Sequence, residues 1–166
     1  MRVAHLLRKY NPAEWGGTET ALERLFAALP EVTPVIYCPD RDGAAGAARD
    51  PFAEAGYPLR YFRARVPIWG LPPERKRQLI AVGGNLMSFD LPLKLWREKE
   101  LALIHTHALG RIGAIGRAVA RSRKLPLVVT IHGGVLDVPD SMKRDFQTPV
   151  SHGWEWGKIF GWLLRS

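Results

Sequence analysis

Apolar positions along the chain fall into short continuous runs separated by amphipathic stretches, so the hydrophobic period keeps switching between that of a strand and that of a helix. Residues 2–7, Arg-Val-Ala-His-Leu-Leu, form an apolar run ending in the turn-rich segment 10–17, the pattern of a buried strand feeding a loop. Thr18 is placed to cap a helix in which Leu22, Leu25, Phe26 and Leu29 recur at i, i+3, i+4 and i+7. That stripe packs on a sheet while Glu19, Glu23 and Arg24 face elsewhere. Residues 34–38 and 58–63 supply a second and third strand, and the Gly/Ala-rich connection over 40–49 is left without an assignment. Residues 67–73 are too rich in proline to be regular. From 74 to 100 the pattern is helical again, but Gly83-Gly84 and Pro92 predict a break or kink. Residues 101–107 form a fourth strand, 111–123 a helix with Ile112, Ile115 and Val119 as its buried stripe, and 127–132 a fifth strand.

Strands apolar on both faces belong in a sheet covered on both sides. Strand and helix in alternation therefore predict an α/β fold, a doubly wound and mostly parallel Rossmann-like sheet with right-handed crossovers. In the tail, residues 154–166, Trp156, Ile159, Phe160, Leu163 and Leu164 stand at helical spacing, and their apolar face has no obvious partner strand. The expectation is a single domain over 1–166, cut at its carboxyl end.

Composition narrows the class. An apolar fraction of 46% with 24% charged residues excludes disorder, and a single cysteine, Cys38, excludes an intrachain disulfide or a thiolate zinc cluster. The longest stretches without Lys, Arg, Asp or Glu, 78–89 and 125–136, have twelve residues each, short of the roughly 18 that a membrane-spanning helix needs. The amino terminus has Arg2, Arg8 and Lys9 around a very short apolar run and no cleavage site, so it does not read as a secretory signal. A cytoplasmic location is expected. The net charge is +8, and residues 60–124 hold 14 Lys and Arg against 4 Asp and Glu. Within that segment Arg117, Arg121 and Lys124 fall at i, i+4 and i+7 and make one basic face, either plain solvated surface or a contact for anionic lipid or a charged acceptor. Aromatic residues do not interleave with these cations, which argues against nucleic acid.

In an open parallel sheet, ligands sit at the carboxyl ends of the strands where strand order reverses. The loops following the first, fourth and fifth strands should meet there. The first contains Gly16-Gly17 directly before a helix, where backbone can approach a bulky anion and the helix start favours negative charge. The same pair also suits a simple tight turn. His105 and His107 lie two apart on one strand and share a side, and His132 closes the next strand before Gly133-Gly134. Three imidazoles suggest zinc, but no cysteine is near and Asp137 is the closest downstream carboxylate, so a hydrogen-bonded core pair is preferred and no metal is expected.

Residues 12–19, with Gly16-Gly17-Thr18-Glu19 after an opening strand, resemble the glycine-pair loop of the amino-terminal domain of family 4 retaining glycosyltransferases of the GT-B fold. Ile104-His105-Thr106-His107 is similar to that family's strand ending in H-x-H, and Val129-Thr130-Ile131-His132-Gly133 to its strand ending in T-x-H-G. The likeness extends over essentially the whole chain. It implies one half of a GT-B architecture, the acceptor-side domain of a hexosyltransferase that takes a nucleotide-sugar as co-substrate, with neither metal nor other cofactor. A glycan or lipid-linked acceptor is implied, with a peripheral place at the inner face of the membrane. The donor-gripping carboxy-terminal domain is absent, so the chain by itself is expected to be inactive. By motif match His132 is the catalytic candidate, set against the transferring sugar, and Gly16, Gly17, Glu19, His107 and Gly133 are the donor- or acceptor-binding candidates. The second strand departs from the family in lacking a Gly-His entry. Two other readings stay open: a stand-alone Rossmann-like module binding a phosphorylated ligand or an anionic membrane, and a Rossmann-like hydrolase, weakened by the lack of a G-x-S-x-G elbow.

Overall fold

The computed structural model describes residues 1–40, 50–81, 83–84 and 86–132. The 41–49 connection, Gly133 and the amphipathic tail over 154–166 lie outside the described residues. Five strands, β1 (Arg2–Leu6), β2 (Thr33–Pro39), β3 (Leu59–Phe62), β4 (Leu101–Thr106) and β5 (Leu127–Val129), form one sheet in the order β3-β2-β1-β4-β5. Every pairing is parallel. Parallel neighbours need crossovers, and these carry α1 (Gly17–Ala28), α2 (Pro51–Glu54), α3 (Pro73–Ala81), α4 (Leu91–Arg97) and α5 (Gly110–Arg123). The expected doubly wound α/β fold is the one observed. Its order reverses between β1 and β4, so the loops leaving those strands diverge and open a crevice.

Alternation along the strands feeds two cores. Leu7, Ile36 and Cys38 pack beneath α1 with Leu22, Phe26 and Phe52. Ala4, Leu6, Val35, Tyr37 and Ile104 pack on the opposite face under Leu91, Leu95, Ile112 and Val119. Each fully buried side chain of this size contributes about 1.5–3 kcal/mol relative to exposure. On the α4 side Glu98 gathers Arg2 at 2.7 Å, Arg60 at 3.2 Å and the Tyr37 hydroxyl at 3.0 Å, tying the end of α4 to three strands.

Two sequence expectations need correction and a third takes one of its two forms. Thr18 is not the cap of α1. The helix starts at Gly17 with Gly16 at the N-cap, because the Glu19 carboxylate reaches back and accepts the Gly16 amide at 3.2 Å. The break expected within 74–100 is observed, with α3 ending at Ala81 and α4 starting at Leu91, and no kink forms at Pro92. This proline stands in the first turn of α4, where a missing N–H costs nothing, and Ser88 Oγ accepts the Leu91 amide just before it. The strand expected over 127–132 is cut to Leu127–Val129, with one further backbone bond from the Thr130 amide to the Thr106 carbonyl. Val128 and Val129 are 42% and 45% exposed, since among the described residues β5 has a strand neighbour on one side alone.

Candidate functional site

β1, β4 and β5 deliver their following loops to one edge of the sheet, where a cavity of about 200 Å³ opens beside the start of α1. Gly16, Gly17, Glu19 and His107, four of the residues singled out from the sequence, line it together. Arg8, Lys9 and Glu14 line it as well, and sequence reading had not assigned them to the site. For Arg8 and Lys9 the position directly after β1 was the available signal, since the residues that leave a strand at the switch point face the crevice, and Glu14 belongs to the first loop itself.

The glycines do different jobs. A Cβ on Gly16 would stand 3.0 Å from Glu19 Oε2, whereas a Cβ on Gly17 would meet nothing within 4 Å, and Gly17 does not have a left-handed backbone. Among the described residues no packing or strain explains glycine at position 17, and the bare backbone leaves room in the cavity. The first amides of a helix have no carbonyl partner within it, so this wall is rich in donors. Glu19, 5% exposed, already covers part of that positive end. Lys9 pairs with Glu14 at 2.9 Å and Arg8 donates to the Gly83 carbonyl at 3.3 Å. Donors and acceptors thus alternate around a small space, a setting suited to an oxygen-rich ligand such as a sugar or a phosphate ester.

Behind the cavity lies a cluster of imidazoles. His5 on β1 is in register with His105 on β4, and the His105 and His107 rings share a side with centroids 4.0 Å apart. His5 Nδ1 is 3.1 Å from His107 Nε2, and His107 Nδ1 is 2.8 Å from His132 Nε2. His105 Nε2 meets Thr130 Oγ1 at 2.7 Å. Burial, with His105 adding repulsion, lowers the His5 pKa to about 3, and burial together with its three imidazole neighbours lowers that of His107 to about 2. Burial and then His132 lower His105 also. All three rings are neutral near pH 7. His5 was missed from the sequence because only the strand register sets it beside His105.

His132 does not line the cavity itself but touches it through His107. Gly133 lies outside the described residues. Arg117 and Arg121 are exposed on α5, but Lys124 lies past its end in a left-handed C-cap, so the expected helical face of three cations stops at Arg121; α5 starts at the carboxyl edge of the sheet and runs away from it, which separates these cations from the cavity. Among the described residues His5, His105 and His107 are the group close enough to share a cation, with ligand atoms within 4.8 Å of one another. A tetrahedral zinc site sets its nitrogens roughly 3.3 Å apart and usually includes or recruits anionic ligands. Here the facing nitrogens are already in hydrogen-bond contact with each other.

A search of curated proteins returned no match. The model of the glycosyl transferase 4-like domain matches residues 16–161, a span that includes the paired glycines, β4 and the three histidines His105, His107 and His132, while β1 precedes it. The chain belongs to the glycosyl transferase 4-like domain family.

Proposed function

We propose that this domain is the acceptor-side half of a nucleotide-sugar-dependent hexosyltransferase acting on a glycan or lipid-linked acceptor. Membership of a glycosyltransferase family supports a sugar donor and an acceptor in general. The observation that carries the finer reading is the meeting of Gly16, Gly17, Glu19 and His107 in one cavity, with His132 hydrogen-bonded to its wall. In this reading the α1 amides with Arg8 and Lys9 hold the phosphate or hydroxyl oxygens, and His132 orients a hydroxyl or stabilises charge at the reacting sugar. Gly133 extends that contact. No metal and no cofactor beyond the nucleotide-sugar take part, and a second α/β domain closes over the cavity from the other side. Replacing His132 by Ala in the transferase should lower turnover more than donor affinity, because its contact is at the reacting centre. Equal loss of affinity and turnover would make His132 a binding group instead.

A second, smaller reading concerns the surface. No helix among the described residues is long and apolar enough to cross a membrane. Arg117, Arg121 and Lys124 are exposed, and on neighbouring α4 Leu93 and Trp96 are 48% and 52% exposed. This combination supports weak peripheral contact with an anionic membrane, at most about 1 kcal/mol per cation near the surface. Sedimentation with anionic and neutral vesicles at two salt concentrations tests it. Equal binding to both vesicle types would remove the electrostatic reading.

A further inference from the structure

His5, His107 and His132 stand in a single hydrogen-bonded line from the interior of the sheet to its edge. The two nitrogen pairs are 3.1 Å and 2.8 Å apart, and the rings stack with interplanar angles of 17° between His5 and His107 and 27° between His107 and His132. His5 is 2% exposed and His107 7%. A neutral imidazole has one N–H and one lone pair, so each ring donates once and accepts once. One proton in each contact leaves two arrangements only. Either all three rings are protonated on Nδ1, or all three are protonated on Nε2. The choice is made at the inner end, because among the described residues His5 Nε2 is buried with no hydrogen-bond partner. A proton placed there would be a bare N–H in the interior, whereas a proton on His5 Nδ1 has His107 to receive it.

We propose that His5 and His107 are positioning residues for His132: the line holds all three rings as Nδ1–H tautomers, so that His132 accepts from His107 through Nε2 and offers Nδ1–H as a fixed donor to the ligand. The use of that donor in sugar transfer rests on the reading of His132 given above; the tautomer itself does not. His105, bonded to Thr130, stays outside the line. Its ring packs against His107 with centroids 4.0 Å apart.

Long-range proton–nitrogen NMR spectra of the uniformly labelled 166-residue chain at pH 7 read the tautomer of each ring directly. Nδ1–H on His5, His107 and His132 is the expected result. Nε2–H on any of the three, or a mixture in fast exchange, overturns the proposal. Two variants separate coupling from packing. His5→Asn places an amide donor where Nδ1 stood, and His132 should keep its wild-type nitrogen shifts. His5→Phe keeps an aromatic ring without a donor, and His132 should move toward a tautomeric mixture. Unchanged His132 shifts in a folded His5→Phe protein overturn the coupling, and if that variant does not fold the wild-type spectrum still decides. Zinc added to the wild-type chain should leave the imidazole signals in place, while stoichiometric loss of the Nδ1–H signals would make the cluster a metal site and end the proposal. In the transferase, His5→Phe should lower kcat by about tenfold to a hundredfold with little change in KM. Tautomers that follow the expectation while kcat stays level would uphold the line and remove His132 from catalysis.

Discussion

Gly17 poses the sharpest question at the scale of a single residue. Among the described residues its missing side chain serves no contact, since a Cβ there would meet nothing within 4 Å. Gly17→Val should therefore leave the melting temperature nearly unchanged while filling cavity space, and ligand affinity or transfer should fall by tenfold or more on the order of a 1.4 kcal/mol penalty. Thermal unfolding and a binding titration measure the two sides, and a large drop in melting temperature with normal binding would make position 17 a structural turn. The imidazoles give a second prediction. In the unfolded chain they titrate near 6.5, but in the fold His5 and His107 take protons only near about 3 and about 2. The unfolded state binds more protons between those limits, so stability is complete above about pH 6.5 and falls as the pH drops below it. The slope approaches about 1.4 kcal/mol per pH unit for each buried ring. Urea unfolding at pH 7, 6 and 5 reads this, and a flat profile would mean that the rings accept protons without leaving the fold. Residues with a local signature were legible in sequence. The two glycines are adjacent and the two histidines of the H-x-H lie two positions apart, whereas His5 needs the register with β4, and Arg8 and Lys9 need the course of the loop after β1.

At the scale of elements, the hydrophobic period identified β1, β2, β4, α1 and α5, which bury a stripe or most of a strand, and also β3, where Phe62 alone is fully buried. Boundaries failed where polar groups decide them. Glu19 moves the start of α1, and Pro92 starts a helix because a proline in the first turn loses no hydrogen bond. The shortness of β5 was not legible either, since its Val-rich pattern does not say whether a strand lies in the middle of a sheet or at its edge. Helix α5 supports a prediction whose sign separates two effects. Intrinsic propensity favours Ala over Gly inside a helix by about 0.8–1 kcal/mol. A Cβ on Gly113, however, would stand 2.4 Å from the Ala108 carbonyl oxygen, a backbone atom that cannot swing aside. Gly113→Ala should therefore destabilise the domain by about 1–3 kcal/mol despite its better propensity. Denaturant midpoints of the variant and the parent chain decide it, and a gain in stability would show that the turn between β4 and α5 shifts freely.

At the scale of the whole molecule, the sheet order places the chemistry on one wall. Among the described residues the cavity is bounded by the loop after β1, the start of α1 and the end of β4. Sugar transfer needs two substrates held with their reacting atoms about 3–3.5 Å apart and water kept out, which one wall cannot achieve. The strand order was foreseeable because a doubly wound sheet turns at its first strand; what faces the crevice was not, since a chain encodes its own packing and only indirectly the shape of what closes over it. In the proposed two-domain arrangement residues 1–166 bind ligand weakly and catalyse nothing by themselves. Mixed with a panel of nucleotide sugars and a simple sugar acceptor, the isolated chain should give neither transfer nor donor hydrolysis above the uncatalysed rate. Fusion to a second α/β domain carrying a basic residue and a glutamate pair to hold the donor phosphates should restore transfer, and the restored activity should depend on His132. Turnover by residues 1–166 alone would mean that the open wall suffices, and that the α1 amides with Arg8, Lys9 and the imidazole line form a complete site.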